Sequence, residues 1–118
     1  MSRFVRVGLL TSKRYASYYE DETHLVNALT ARKIHVEPVV WNEAFQARYD
    51  VLVMRTPWDW MAHRQQFRSF LEELRTSPAR VFNAPEVMQR YADKRYLAEL
   101  AAADLDVIPT QQLETSEL

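Results

Sequence analysis

The chain has no cysteine and one glycine in 118 residues. Without thiols it can form no disulfide, no thiolate metal site and no cysteine nucleophile, which fits a reducing compartment, so cytoplasm is the expected location. With glycine confined to Gly8, no loop can bring successive backbone N–H groups against a phosphate, so both a dinucleotide fingerprint and a P-loop are missing. An excess of charge is lacking too. Fifteen basic against sixteen acidic side chains leave -1, which offers a nucleic acid backbone no attracting field. No apolar run reaches the roughly 18 residues a membrane span needs, and Arg3 and Arg6 interrupt the stretch where a signal peptide would carry its apolar segment.

What is present is the composition of one globular domain: 47% hydrophobic and 26% charged residues, enough for a real core but short for a complete multi-substrate enzyme. Phe4 to Leu10 reads as a strand stopping at Thr11-Ser12, followed by a tyrosine-rich loop. Asp21 or Thr23 then caps a helix with the stripe Leu25, Ala28 and Leu29. Ile34 to Trp41 reads as a second strand, placed at the sheet edge by Pro38, which cannot donate to a ladder. The continuous apolar run Asp50 to Met54 reads as a central strand covered on both faces. From Trp60 to Arg75, Phe67, Phe70, Leu71 and Leu74 fall at the spacing of one helical face, ending at Ser77-Pro78. Arg80 to Asn83 makes a fourth strand, and Ala84-Pro85 opens a turn of helix through Val87 and Met88. Asp93 caps a last helix packing Leu97, Leu100 and Ala101, and Leu105 to Pro109 is extended again. The alternation predicts an α/β fold, a Rossmann-like three-layer parallel sheet with helices on both faces. Its first unit runs over residues 1–109. Residues 110–118 either start a further domain or form a tail.

In such sheets ligands gather beyond the carboxyl ends of the strands, here Thr11-Ser12, Trp41-Asn42, Arg55-Thr56 and Asn83. His24, His35 and His63 sit on three different elements with no second ligand at metal spacing, so no metal site is expected. No serine stands in a glycine-flanked elbow of hydrolase type. Nor do the acids of a phosphate-accepting receiver follow the first or third strand. Met54 to Trp60 (MRTPWDW) is the informative stretch, because a central strand there delivers Arg55, Thr56, Trp58, Asp59 and Trp60 to the ligand edge. Arg55 can pair bidentately with a carboxylate or phosphate. Equally, Asp59 can cap the following helix while Trp58 and Trp60 pack against a neighbouring domain. Lys94, one of three lysines, is expected in the first turn of the last helix, where the positive end of the dipole would favour a nearby anion.

Arg55-Thr56-Pro57-Trp58-Asp59-Trp60, the Phe67 to Leu74 helix, the Asn83-Ala84-Pro85 turn, and Asp93-Lys94-Arg95-Tyr96-Leu97 leading to Val107-Ile108-Pro109-Thr110 together resemble the N-terminal, or pre-ATP-grasp, domain of glutathione-synthetase-like ATP-grasp ligases. The resemblance implies a cytoplasmic carboxylate-amine ligase working through an acyl phosphate, with ATP and magnesium as cofactors of a full-length parent and none for these 118 residues alone. It implies Lys94 as an ATP-phosphate contact and Thr11, Ser12, Arg55, Thr56 and Asp59 as one wall of a substrate cleft. Trp58 and Trp60 would form a domain interface, and no residue of the chain would be catalytic. The implied partners are downstream ATP-grasp domains of the same polypeptide and a small carboxylate or amine substrate, with a homodimer possible and neither nucleic acid nor membrane. One departure stands out: the turn before the last strand usually carries glycine, where this chain has Asp104. The alternative reading is a free-standing flavodoxin-like binding or dimerisation module using the same aromatics. A Rossmann nucleotide-binding domain ranks last for want of its glycines.

Overall fold

In the computed structural model, which describes residues 3–45 and 48–113, β1 (Arg6–Thr11) is buried at every position after Arg6. A strand hidden on both faces belongs inside a sheet. It lies between β2 (His35–Val40) and β3 (Val51–Thr56) in the order β2-β1-β3-β4, with β4 spanning Arg80–Phe82 and every pairing parallel. Gly8 serves this packing rather than a turn. A β-carbon there would stand 2.8 Å from Leu52 Cδ2 and 2.9 Å from Val39 Cγ2.

From β1 the chain crosses through α1 (Glu22–Ala31) to β2 on one side, and from β3 through α2 (Arg64–Arg75) to β4 on the other. Right-handed crossovers running in opposite directions put the two helices on opposite faces, giving the predicted Rossmann-like arrangement. The strand order reverses between β1 and β3. On the α2 face, Phe67, Phe70, Leu71 and Leu74 close over Leu10, Val39, Trp41 and Leu52 as one core cluster. Each such side chain contributes about 1.5–3 kcal/mol through burial. The Trp41 ring meets Phe67 edge-on at 5.2 Å.

After β4 come α3 (Pro85–Tyr91), which packs beside α2, and α4 (Tyr96–Ala102). None of the α4 residues is buried. The radius of gyration is 17.1 Å with extents of 57 × 30 × 30 Å, whereas a compact chain of this length would have about 13–14 Å. The segment from α4 to Leu113 therefore stands off the sheet.

Several expectations are corrected. β1 begins at Arg6, leaving Phe4 and Val5 exposed. Neither Asp21 nor Thr23 caps α1 with its side chain; the Thr23 hydroxyl donates back to the Glu20 carbonyl. Ala28 and Ala101 face solvent. Leu105 to Pro109 forms no strand, since no neighbouring strand offers it a ladder. Residues 110–113 are exposed, and the rest of the predicted tail lies outside the described residues. Asp104 does adopt the left-handed conformation a glycine would take, with φ of 60°.

Candidate functional site

At the reversal of strand order, β1 and β3 end side by side. Their register slips there: Leu10 pairs with Met54 but Thr11 with Thr56, so Arg55 has no opposite residue. A bulge of this kind re-aims the side chain it frees. It also brings the Thr11 and Thr56 hydroxyls to 2.6 Å, while the Ser12 N–H donates to the Thr56 carbonyl at 2.9 Å. Thr11 Oγ1 lies 3.2 Å from the Tyr15 carbonyl, and when it donates there Thr56 donates to Thr11. Thr11, Ser12 and Thr56 are all buried. Three predicted cleft residues are thus brought together, as a hydroxyl-linked clasp under the edge rather than a surface open to solvent.

The freed Arg55 reaches across to the first turn of α1. Its Nε donates to both Glu22 carboxylate oxygens at 3.0 Å, and Nη2 to Oε1 at 2.5 Å. The hydrogen bond to Glu22 pushes the guanidinium's pKa further up. Glu22 is 3% exposed, an acid hidden at the site that sequence reasoning passed over. Its only signal was a carboxylate in a helix first turn, which ordinarily reads as a solvated partner of the dipole.

Asp59 does not act as the expected cap. Its side chain does not cap the turn Trp60–His63 that precedes α2; Oδ1 accepts the Trp41 indole N–H at 2.7 Å, tying the end of β2 to the loop after β3. Trp58, 53% exposed, packs edge-to-face with Tyr15 at 5.3 Å and Tyr19 at 5.0 Å. Trp60 is half-buried against Phe67. The two tryptophans therefore occupy different surroundings. The Tyr18 hydroxyl, at a residue with φ of 75°, has its pKa raised by burial and then by the charges of Glu37 and Glu22.

Lys94 lies in the turn before α4, not in its first helical turn. Asp93 Oδ1 accepts the Arg95 N–H, and Lys94 Nζ sits 5.6 Å over the Tyr96 ring, exposed to solvent. Nearby, a cavity of about 270 Å³ opens between α2 and the end of α3, with Phe67 and Leu71 as its floor and Arg64, Arg68 and Asp93 on its walls. A roomier concavity of about 860 Å³ lies at the amino edge around Phe4, Ile34 and His35, the wrong end of a parallel sheet for its ligands. Among the described residues, no three histidines or acids gather where they could hold a metal ion. No helix there is long and apolar enough to cross a membrane.

Residues 7–83 match the family model of the D-cycloserine synthetase DcsG N-terminal domain. The cycloserine biosynthesis protein DcsG of Streptomyces lavendulae is 42% identical over 93 residues, covering 76% of this chain and 30% of that protein. The crystal structure of D-cycloserine synthetase DcsG superposes with a TM-score of 0.77 at 28% identity, over 88% of this chain and 35% of that one. The chain spans about a third of the length of the relatives it matches.

Proposed function

The chain belongs to the family of the DcsG N-terminal domain, and from that premise we propose that it is the substrate-side front domain of an ATP-dependent carboxylate-amine ligase of the ATP-grasp type, not catalytic alone. The family match carries this reading, since the relatives are synthetases and the likeness falls on about a third of their length. The carboxyl edge supports it by presenting Arg55 beside the Thr11–Thr56 clasp, where a small carboxylate or amine substrate would lie. Further support comes from the apolar surface left open by Trp58, Phe82, Val87, Tyr91, Leu105 and Ile108, which suits contact with ATP-grasp domains of the same polypeptide.

ATP in such a ligase supplies the leaving group that activates the carboxylate. Lys94 fits a phosphate contact, being an exposed ammonium that no acid pairs with among the described residues. Magnesium in such a ligase would be held by domains outside these residues.

The test uses the polypeptide made from the whole reading frame that contains these residues. Release of ADP that requires both a carboxylate and an amine supports the ligase, and Lys94→Ala should weaken its use of ATP by about 1.5–3 kcal/mol, the scale of a charged hydrogen bond. Unchanged nucleotide kinetics would remove Lys94 from the role. The 118 residues alone should give no heat with magnesium-ATP at millimolar concentration, and micromolar binding would overturn the front-domain assignment.

A further inference from the structure

Burying a carboxylate costs several kcal/mol unless a partner compensates, and Glu22 meets that requirement through Arg55. The two members of the pair are unequally hidden: the Glu22 side chain is 5% exposed and the Arg55 side chain 43%. A guanidinium offers two forks of parallel N–H donors, one through Nε and Nη2 and one through Nη1 and Nη2. Glu22 fills the first. Nη1 has no acceptor among the described residues, which leaves the second fork unfilled on a side chain 43% exposed, at the point where strand order reverses. A register slip at Thr11 frees Arg55 from the sheet, and a buried acid then fixes its direction.

We propose that Glu22 is a positioning residue that holds Arg55 so that its outer fork binds the carboxylate of a small substrate end-on. This rests on the substrate-cleft reading of the same edge, and it goes further by naming the anchor, its support and the class of group held. The Arg55–Glu22 pair is neutral as a unit, which suits a planar monoanion with two oxygens rather than a phosphate dianion that calls for several cations. Trp58, three residues beyond Arg55, packs edge-to-face with Tyr15 and Tyr19 and adds aromatic surface to that edge.

The test needs no ATP chemistry, so its failure leaves the ligase reading standing. The 118-residue chain is titrated with sodium acetate, and separately with sodium phosphate, at constant ionic strength, while the Arg55 Nε–H resonance is followed by NMR. Acetate should shift it saturably in the millimolar range, and phosphate should do no more than a chloride control. Glu22→Gln should weaken acetate binding by about tenfold, equivalent to about 1.4 kcal/mol, with Glu22→Asp recovering part of it. If Glu22 were a mere competitor for the guanidinium, Glu22→Gln would tighten acetate binding, and that result overturns the proposal. A phosphate response equal to that of acetate, or no Arg55 response, overturns it as well. Should Glu22→Gln fail to fold, Arg55→Lys keeps the charge without the fork, and acetate is then followed through the backbone amides of Ser12 and Trp58 in both chains; the variant must bind at least about tenfold more weakly, and acetate binding equal to that of the unaltered chain refutes the assignment.

Discussion

Residues 6 to 82 and residues 84 to 113 both carry helices with apolar side chains at helical spacing, yet only the first set is sealed. In α2, Phe67, Phe70, Leu71 and Leu74 all meet a sheet and are buried. In α4, Leu97 and Leu100 reach only partial burial, and beyond Pro85 no described residue is buried. The difference lies in the surface opposite, not in the helix. A seven-residue helix gains little from propensity alone and takes its stability from packing, so α4 is held mainly by its own turn bonds and neighbours. In the front-domain reading proposed above, domains of the same polypeptide would supply that surface.

Four measurements sharpen or break this contrast. Phe67→Ala should cost about 3–5 kcal/mol by loss of transfer energy and creation of a cavity, read as a lowered urea midpoint. Gly8→Ala forces a methyl between Leu52 and Val39 and should cost about 1–3 kcal/mol. Leu97→Ala should cost under about 1 kcal/mol; a loss as large as that of Phe67→Ala would show that α4 belongs to the core.

The fourth is a pH effect at the amino edge, well inside the sealed region. The Glu37 carboxyl is held below its usual range chiefly by a hydrogen bond from the Tyr49 hydroxyl, with Arg6 adding to it, and burial with that same bond pushes Tyr49 up to about 12. A carboxyl depressed in the folded state contributes stability that is complete above its unfolded pKa of about 4.3 and is lost as pH falls through the lower folded value. Tyr49 contributes stability that is complete below about 10 and is lost as pH rises towards 12. Tyr49→Phe should therefore move the acid unfolding midpoint to higher pH and flatten the alkaline limb. An unchanged acid midpoint would dissociate Glu37 from Tyr49.

Much of the fold was legible because its signals are local. An apolar run marked β3 as interior, Pro38 marked β2 as an edge, and four residues at helical spacing marked α2. The site was legible in half. Arg55 announced itself as the residue where the central apolar run stops, but its partner stands 33 positions earlier and looked like an ordinary charge in a helix first turn. Asp59 could be assigned to a cap by spacing, whereas its bond to Trp41 depends on β2 and β3 ending on the same side of the sheet. Long-range pairing of this kind leaves no mark in periodicity. The last helix is read two residues early, because Asp93 is a capping residue type and its carboxylate does accept the Arg95 N–H, while the helix itself starts at Tyr96.

The scarcity of glycine has a mechanical effect at the far end of the molecule. At Asp104 the N–H bonds to the Ala101 carbonyl and that of Leu105 to the Leu100 carbonyl, a reverse-wound closure that Lys33 and Ile34 repeat after α1 with Thr30 and Leu29. An aspartate or lysine in that backbone shape stores about 1–2 kcal/mol of strain that glycine would release, but it also has fewer alternative shapes to escape into. The joint at residue 104 thus acts as a bracket that turns the chain off the end of α4 and sets the direction in which Leu105 leaves it.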